Sequence, residues 1–151
     1  MITAQVESFT ERLQEFSPLF PLHYEELALN KDKVPLDPNY NIYIEREESG
    51  GLLFVTLREA GDAVGYFIGF IAPGLHYQTC LTCTMDIFYV HPDKRGSSAG
   101  FLLFDFVEKE LKRRKVDRWF VGSKFHKDAS WLFEKLKFEK VEIYYSKWIG
   151  A

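Results

Sequence analysis

The segment that decides the fold runs from Met85 to Leu111 and reads MDIFYVHPDKRGSSAGFLLFDFVEKEL. It begins as an apolar strand ending at Val90, turns at Pro92, and passes through small residues into an amphipathic helix. A helix that follows such a loop presents unpaired backbone N–H groups and the positive end of its dipole at one place. The small side chains at positions 96–100 let an anion approach that backbone closely. The sequence therefore predicts a phosphate-binding loop at the start of this helix.

Two cations, Lys94 and Arg95, precede the small residues and add formal positive charge beside the loop. The chain has no Gly-x-x-x-x-Gly-Lys-Ser/Thr, and no Gly-x-Gly-x-x-Gly followed by an acidic strand end. Two common nucleotide-binding loops are therefore excluded.

The segment resembles the acyl-CoA loop of the GNAT (GCN5-related) N-acetyltransferases. Their signature is Arg/Gln-x-x-Gly-x-Gly/Ala after a strand ending in Val-x-Pro. Here it reads Arg95-Gly96-Ser97-Ser98-Ala99-Gly100 after Val90-His91-Pro92, with Ser98 where the first motif glycine is expected. The likeness extends from about Tyr40 to the C-terminus. It is greatest to the small GNAT proteins of bacteriophages and prophages, including a His-Tyr-Glu-Glu segment at residues 23–26.

Length and charge restrict the class of protein. With 151 residues the chain is expected to form a single domain, residues 1–151, around one core. A net charge of −3 argues against recruitment by nucleic acid or an anionic membrane. The basic run Lys112–Lys115 is interpreted as complementing a helix C-terminus. Because no signal peptide or membrane span is evident, we expect a soluble cytoplasmic protein.

Cys80 and Cys83 raise the question of a metal site, to which His76 and His91 could be added as ligands. Residues 79–90 alternate like a strand, so residues three apart lie on opposite faces. Structural zinc pairs normally lie on a tight turn, and no second Cys-x-x-Cys exists. We therefore predict two reduced strand cysteines and no metal.

Periodicity predicts the remaining elements. Helices are expected at residues 4–15, around residues 21–27, at 97–114 and around 129–136, and strands at 40–45, 52–59, 64–72, 79–90, 118–123 and 141–148. The resemblance implies the α+β GNAT fold: a mixed, mostly antiparallel sheet of six to seven strands with four helices. In that fold the parallel fourth and fifth strands splay apart, and the pantetheine arm of acetyl-CoA inserts between them.

The resemblance also implies the cofactor site. The arm would pair with backbone of the fourth strand, around Phe88, Tyr89 and Val90. The loop would bind the phosphates, and the last helix would contribute further contacts. The expected cofactor-binding residues are Phe88, Tyr89, Val90, Lys94, Arg95, Gly96, Ser97, Ser98, Ala99, Gly100, His126 and Phe133.

Acetyl transfer to an amine needs a neutral nucleophile, and an alkyl ammonium has a pKa near ~10.4. Asp86 is the predicted base, because a carboxylate in an apolar strand is costly unless it is paired or reaches a cleft. The alternative is an Asp that lies at a β-bulge or pairs with a Lys.

On the leaving-group side the chain departs from the family. The Tyr that commonly protonates the CoA thiolate is replaced by Phe133, and the helix's Asn by His126. Three interpretations stay open: transfer without a dedicated acid, a proton from His126, Tyr144, Tyr145 or water, or binding with little or no catalysis. Asp86, Tyr144 and His126 are thus the candidate catalytic residues.

The family builds its acceptor pocket from the first two helices, the loop before the fourth strand, and the final strands. The corresponding residues are His23, Tyr24, Glu25, Glu26, His76, Tyr77 and Tyr145. Carboxylates beside aromatic rings suit a cationic amine. The sequence therefore predicts an acetyl-CoA-dependent N-acetyltransferase acting by direct attack in a ternary complex, on a small-molecule amine or a protein lysine or N-terminus. The alternative is a weak or inactive acyl-CoA-binding or protein-interaction module. A homodimer through sheet edges is a further expectation.

Overall fold

A five-stranded sheet in the order β1-β2-β3-β4-β5 forms the centre of the computed structural model, which describes residues 1–151. The strands are β1 (Ile2–Val6), β2 (Leu52–Glu59), β3 (Asp62–Pro73), β4 (Leu81–Val90) and β5 (Arg118–Phe120). The helices are α1 (Phe9–Phe16), α2 (Leu19–Leu27), α3 (Tyr40–Glu48), α4 (Ala99–Arg113) and α5 (Ser130–Lys135), with a 3-10 turn at Pro92–Lys94. Neighbouring strands are antiparallel except β4 and β5, which are parallel. The predicted α+β fold with a mixed sheet is confirmed, with five strands rather than six to seven.

The parallel pair is short. β4 and β5 pair only over Thr82–Thr84 with Arg118–Phe120. β5 ends there, whereas β4 continues to Val90. From Met85 onward, the side of β4 that faces away from β3 is therefore paired with no strand. We call the unpaired region between this part of β4 and the chain after Phe120 the opening.

Helices cover both faces of the sheet. On one face, α4 and α5 bury an apolar cluster that includes Leu103, Phe104, Val107 and Phe133. On the other face, α1, α2 and α3 pack an aromatic cluster that includes Phe9, Phe16, Phe20, Phe54, Tyr66 and Tyr89. The aromatic residues thus fill two cores, one on each face of the sheet that contains β4. No helix is both long and apolar enough to cross a bilayer.

The first predicted helix, residues 4–15, is wrong in its first half. Residues 2–6 form an edge strand paired with Val55–Glu59 of β2, and α1 begins only at Phe9. The Ser8 hydroxyl accepts from the N–H of Glu11 and so caps α1, which fixes where the helix starts. The helical spacing of Val6 with Phe9 and Leu13 is therefore a coincidence across a strand–helix boundary.

The predicted strand at residues 40–45 is a helix, α3. Its Tyr40 and Tyr43 rings pack on Phe9 at centroid distances of 6.5 and 5.1 Å. Glu47, one turn further along, accepts hydrogen bonds from the Ser8 hydroxyl and from the backbone N–H groups of Phe9 and Thr10. These contacts with α1 outweigh the strand propensity of the Tyr and Ile residues.

The predicted strand at residues 141–148 is also absent, since this segment has no regular structure and is exposed. Tyr144 and Tyr145 are 85% and 92% exposed. The strand predicted at 118–123 is shortened to Arg118–Phe120. A strand needs a hydrogen-bonded neighbour, and three residues of β5 leave little edge for the terminal segment to join.

Candidate functional site

The start of α4 carries a row of backbone donors. Gly96 adopts φ = +80°, a left-handed conformation that glycine adopts without steric cost, and it turns the chain into the helix. Ser98 stands at the N-cap and makes no side-chain capping bond. The N–H groups without an acceptor in the protein are those of Gly96, Ser97, Ser98, Gly100 and Phe101. Five donors and the positive end of a 15-residue helix thus meet at one exposed loop, as the sequence predicts for an anion site.

The two cations beside this loop are already paired with carboxylates. Lys94 Nζ contacts Glu59 at the end of β2. Arg95 Nη2 donates to both carboxylate oxygens of Glu26 on α2, at 2.8 and 2.7 Å. Arg95 also lies over the ring of Tyr89, 5.5 Å from its centroid. The uncompensated positive potential of the loop therefore comes from its backbone.

The open side of β4 presents backbone groups toward this loop. The N–H of His91 donates to Val64 of β3, and hydrogen-bonding direction alternates along a strand. The backbone groups of Phe88 and Val90 therefore point away from β3, toward the side without a strand. The carbonyl of Val90 accepts a hydrogen bond from Arg95 Nε at 2.8 Å, which confirms that direction.

A β-bulge in β4 sets the position of Asp86. Met85 pairs with Gly69 and Ile87 with Ile68, so Asp86 is the extra residue between two paired positions. Met85 packs into the core under α4, whereas Asp86 contacts α3 and Ile87 packs with the aromatic cluster. The bulge therefore places two successive side chains on the same face. The structure thus shows the bulge that the sequence left open as an alternative for Asp86.

Asp86 is held by residues that the sequence did not single out. The Tyr43 hydroxyl donates to Asp86 Oδ2 at 2.6 Å. Burial raises the pKa of Asp86 above its ordinary value, although the bond from Tyr43 and the charge of Arg46 oppose that rise. Burial and the neighbouring Asp86 raise the pKa of Tyr43 well beyond its usual range, so its hydroxyl stays protonated. The helical spacing of Tyr40, Tyr43 and Glu47 is the signal that would have placed Tyr43 on a helix.

A second polar cluster lies between α2 and the sheet. The Tyr66 hydroxyl and His23 Nδ1 form a buried hydrogen bond of 3.0 Å, in which the histidine tautomer decides which atom donates. His23 is only 5% exposed, and burial lowers its pKa to about 4, so the ring is neutral. His23 Nε2 and the Tyr89 hydroxyl have no hydrogen-bond partner in the protein. These groups border the Arg95–Glu26 pair, since both charges act on His23.

The other predicted acceptor residues spread over two regions. Tyr24 donates to the carbonyl of Val34, and Glu25 lies 3.6 Å from Lys31, so both act within the α2–α3 region. His76 and Tyr77 lie in the loop before β4, where Arg118 stands 5.5 Å from the Tyr77 ring. That loop is at the opposite end of β4 from Arg95, roughly 30 Å away. The structure therefore brings His23, Glu26 and Asp86 to one face of the sheet and leaves His76 and Tyr77 at its far end.

The predicted residues near the C-terminus are also separated. His126 Nε2 donates to the carbonyl of Leu27 at the end of α2, at 3.0 Å. Phe133 is 6% exposed and packs between Phe88 and Phe104, at centroid distances of 6.0 and 5.4 Å. Tyr144 and Tyr145 are exposed on the terminal segment, and no contact brings them to Asp86. Their catalytic and binding roles stay predictions.

The cysteines are not part of a metal cluster. Both are free thiols, with Cys83 buried in the core and Cys80 half-buried before β4. No three His, Cys, Asp or Glu side chains are grouped so as to hold a metal ion. Burial raises the pKa of the Cys83 thiol to about 12, so this thiol is protonated at neutral pH.

Comparison with known proteins supports the resemblance to the GNAT acetyltransferases. The sequence model of the Acetyltransferase (GNAT) family matches residues 10–138. No curated protein sequence matches the chain significantly.

Among solved structures, the chain is similar to a ribosomal-protein-alanine N-acetyltransferase from Brucella melitensis biovar Abortus 2308. The two are 18% identical with a TM-score of 0.78, over 100% of this chain and 99% of that one. A GCN5-related N-acetyltransferase from Ralstonia eutropha JMP134 is 13% identical with a TM-score of 0.79, over 99% and 100% of the two chains. A predicted acetyltransferase from Clostridium acetobutylicum, solved with acetyl-CoA, is 12% identical with a TM-score of 0.71, over 97% of this chain and 96% of that one. The fold, the loop at the start of α4 and the match over residues 10–138 together place the chain in the GNAT acetyltransferase family.

Proposed function

We propose that the protein is an acetyl-CoA-dependent N-acetyltransferase that acts on a primary amine by direct attack in a ternary complex. The observation that carries this proposal is the row of five unpaired N–H groups at the start of α4, next to the open side of β4. A pyrophosphate needs several convergent donors, and an extended amide-bearing arm needs a free strand edge. This chain offers both within one site.

The residues present fit acetyl-CoA. Gly96, Ser97, Ser98 and Gly100 would hold the phosphates through backbone N–H groups, with Lys94 and Arg95 beside them. Phe88 and Val90 offer outward backbone groups to the amide-bearing arm. Bound there, acetyl-CoA supplies an acetyl group activated as a thioester.

Asp86 is the proposed base. It accepts a proton from the ammonium of the acceptor, and its raised pKa favours that transfer. Tyr43 fixes one carboxylate oxygen and leaves Oδ1 for the substrate. Direct attack is favoured over a covalent enzyme intermediate because neither free thiol is paired with a base: Cys83 is buried and protonated, and the Cys80 sulfur contacts the Thr82 hydroxyl at 3.7 Å.

The leaving thiolate is proposed to depart without a dedicated acid. Phe133 has no hydroxyl and is packed in the core, and the Tyr144 side chain is 85% exposed on the terminal segment. A thiol's pKa of ~8.5 makes its anion a tolerable leaving group that water can protonate.

The acceptor is proposed to be a cationic amine. His23, Glu26 and Asp86 share the face covered by α1, α2 and α3, so the Asp86 carboxylate puts negative charge on one side of the opening, beside the Glu26 carboxylate that is paired with Arg95. The amine belongs to a small molecule or to a protein lysine or N-terminus. The likeness to bacteriophage proteins, the cytoplasmic location and the homodimer stay predictions from the sequence.

The test is calorimetric titration of acetyl-CoA into the wild-type protein and Ser98→Asp. An aspartate at the N-cap stabilises a helix, so the variant should fold, yet its carboxylate would occupy and repel the phosphate position. Asn41→Asp, an exposed position on α3, introduces the same charge elsewhere. We expect binding to the wild type and to Asn41→Asp, and loss of binding in Ser98→Asp. Binding that Ser98→Asp leaves intact would place the cofactor elsewhere, and no binding at millimolar acetyl-CoA would overturn the proposal.

A second candidate function is acyl-CoA binding without turnover, which the buried Phe133 favours. Thiol release in a screen of amines and lysine peptides separates the two functions. Tight acetyl-CoA binding with no thiol release from any acceptor would support the binding module.

A further inference from the structure

The last turn of α2, Tyr24–Leu27, contacts both sides of the opening between β4 and β5. On the β4 side, Glu26 accepts two hydrogen bonds from Arg95, in the loop that follows the strand. On the β5 side, the carbonyl of Leu27 accepts a hydrogen bond from His126, in the segment that follows that strand. We call residues 24–27 the α2 strap, because they link the segment that follows β4 to the segment that follows β5.

The strap holds Arg95 in a position that conflicts with cofactor binding. Arg95 Nε donates to the carbonyl of Val90, an outward-facing group of β4 that the cofactor arm would need. Arg95 Nη2 is engaged by both oxygens of Glu26 and so does not serve the phosphate loop. Glu26 therefore neutralises Arg95, and Arg95 in turn occupies the Val90 carbonyl.

The carboxylate and a pyrophosphate compete for one guanidinium. The Arg95–Glu26 pair is partly open to water, with side chains 33% and 22% exposed, so its net contribution to stability is small. A pyrophosphate carries more negative charge than Glu26 and also meets the five free N–H groups of the loop. The ligand is thus favoured in the exchange, and the exchange leaves Glu26 without its partner.

We propose that the α2 strap closes the opening in the cofactor-free protein, and that the pyrophosphate of the cofactor opens it by taking Arg95 from Glu26. The freed Glu26 carboxylate then binds the ammonium group of the acceptor. This rests on the proposed function for the identity of the two ligands. It implies a mutual increase of affinity between cofactor and amine, because such coupling is reciprocal.

A permanent pair would behave in the opposite way. If Glu26 only positions Arg95 for the phosphates, removing its charge should weaken cofactor binding. If Glu26 competes with the phosphates, removing its charge should strengthen it. The sign of the change separates the two roles.

The experiment compares wild type, Glu26→Gln and Glu48→Gln. Glu48 is exposed at the end of α3 and forms no ion pair, so its variant matches the charge change. Calorimetry measures the Kd for acetyl-CoA and, separately, for inorganic pyrophosphate, and hydrogen exchange follows the amide of Ala28, which donates to Tyr24. For Glu26→Gln we expect both ligands to bind about threefold to fivefold more tightly, and the Ala28 amide to exchange faster. In the wild type, pyrophosphate itself should speed that exchange, and Glu48→Gln should match the wild type throughout.

Weaker or unchanged ligand binding by Glu26→Gln would overturn the strap. Tighter pyrophosphate binding with no acetyl transfer to any amine would leave the strap standing and overturn the proposed enzyme. In an active enzyme, Glu26→Gln should also raise the KM for a cationic amine about tenfold, which corresponds to losing one charge-assisted contact. An unchanged amine KM would remove Glu26 from the acceptor site.

Discussion

The Tyr43 hydroxyl donates a 2.6 Å hydrogen bond to Oδ2 of Asp86 and so links α3 to the bulge of β4. The bond has two effects on Asp86. It fixes the carboxylate in one orientation, and it lowers the carboxyl pKa against the larger opposing effect of burial. Tyr43 therefore adjusts the pKa of the proposed base. Its helix, α3, is held against α1 by the hydrogen bonds that Glu47 accepts from Phe9 and Thr10.

Replacing Asp86 by Asn should lower kcat by about 10² to 10⁴, the usual contribution of a positioned general base. The Kd for acetyl-CoA should stay near the wild-type value, since the loop proposed to bind the phosphates lies between β4 and α4, beyond the end of the strand that carries Asp86. Thiol-release kinetics and calorimetry measure the two quantities. Asp105→Asn is the control, because Asp105 is exposed on α4 and pairs only with Lys109. A kcat within threefold of the wild type would exclude Asp86 as the base.

Replacing Tyr43 by Phe should move the pH–rate profile. The hydrogen bond lowers the pKa of Asp86, so its loss should raise that pKa further. The acidic limb of kcat/KM reports the base of the free enzyme and should therefore shift to higher pH. Tyr40→Phe is the control, because it removes a hydroxyl from the same helix. The Tyr40 ring packs against Phe9 and Phe20, and its hydroxyl makes no hydrogen bond to Asp86. A profile that moves equally in both variants would assign the shift to repacking of α3.

The parts of the fold that the sequence predicts well are those decided by local pattern. The apolar run to Val90, the small residues after Arg95 and the helical spacing from Ala99 to Leu111 all agree with β4, the loop and α4. Each of these elements contains its own signal. The loop between β4 and α4 is therefore predictable from the sequence alone.

The parts that the sequence predicts badly depend on distant partners. Tyr40–Glu48 has strand-like composition but is a helix, because its rings pack on Phe9 and Glu47 caps α1. Residues 141–148 have strand-like composition but lie beside no paired edge. Asp86 could be proposed from its cost in an apolar strand, but neither the bulge nor Tyr43 could be, since both depend on how β3 and α3 meet β4.

His23 should make folding stability depend on pH between about 7 and 5. In the folded protein burial lowers its pKa to about 4, against an ordinary value of 6.5. The unfolded chain therefore binds the proton first as the pH falls, and protonation favours unfolding. Between pH 7 and pH 5 this should remove about 2 kcal/mol of stability. Denaturant titrations at the two pH values measure it, and His23→Gln should show a much smaller difference. A wild-type stability that is flat over this range would contradict the burial of a neutral imidazole.

Gly96 and Gly50 provide a matched pair for the phosphate loop. Both adopt φ = +80°, and a methyl group added at either would meet nothing within 4 Å. Alanine at each position should therefore cost the same backbone strain, about 1–2 kcal/mol of stability, because an L-residue is disfavoured in the left-handed region. Gly50 lies between α3 and β2, away from the loop, so Gly50→Ala should leave the Kd for acetyl-CoA unchanged. Gly96→Ala should weaken acetyl-CoA binding about tenfold in addition, because relief of the strain turns the N–H groups of residues 96–98 away from their common direction. Denaturant unfolding and calorimetry on both variants make the comparison, and equal acetyl-CoA affinities would show that the phosphates are bound by something other than this backbone.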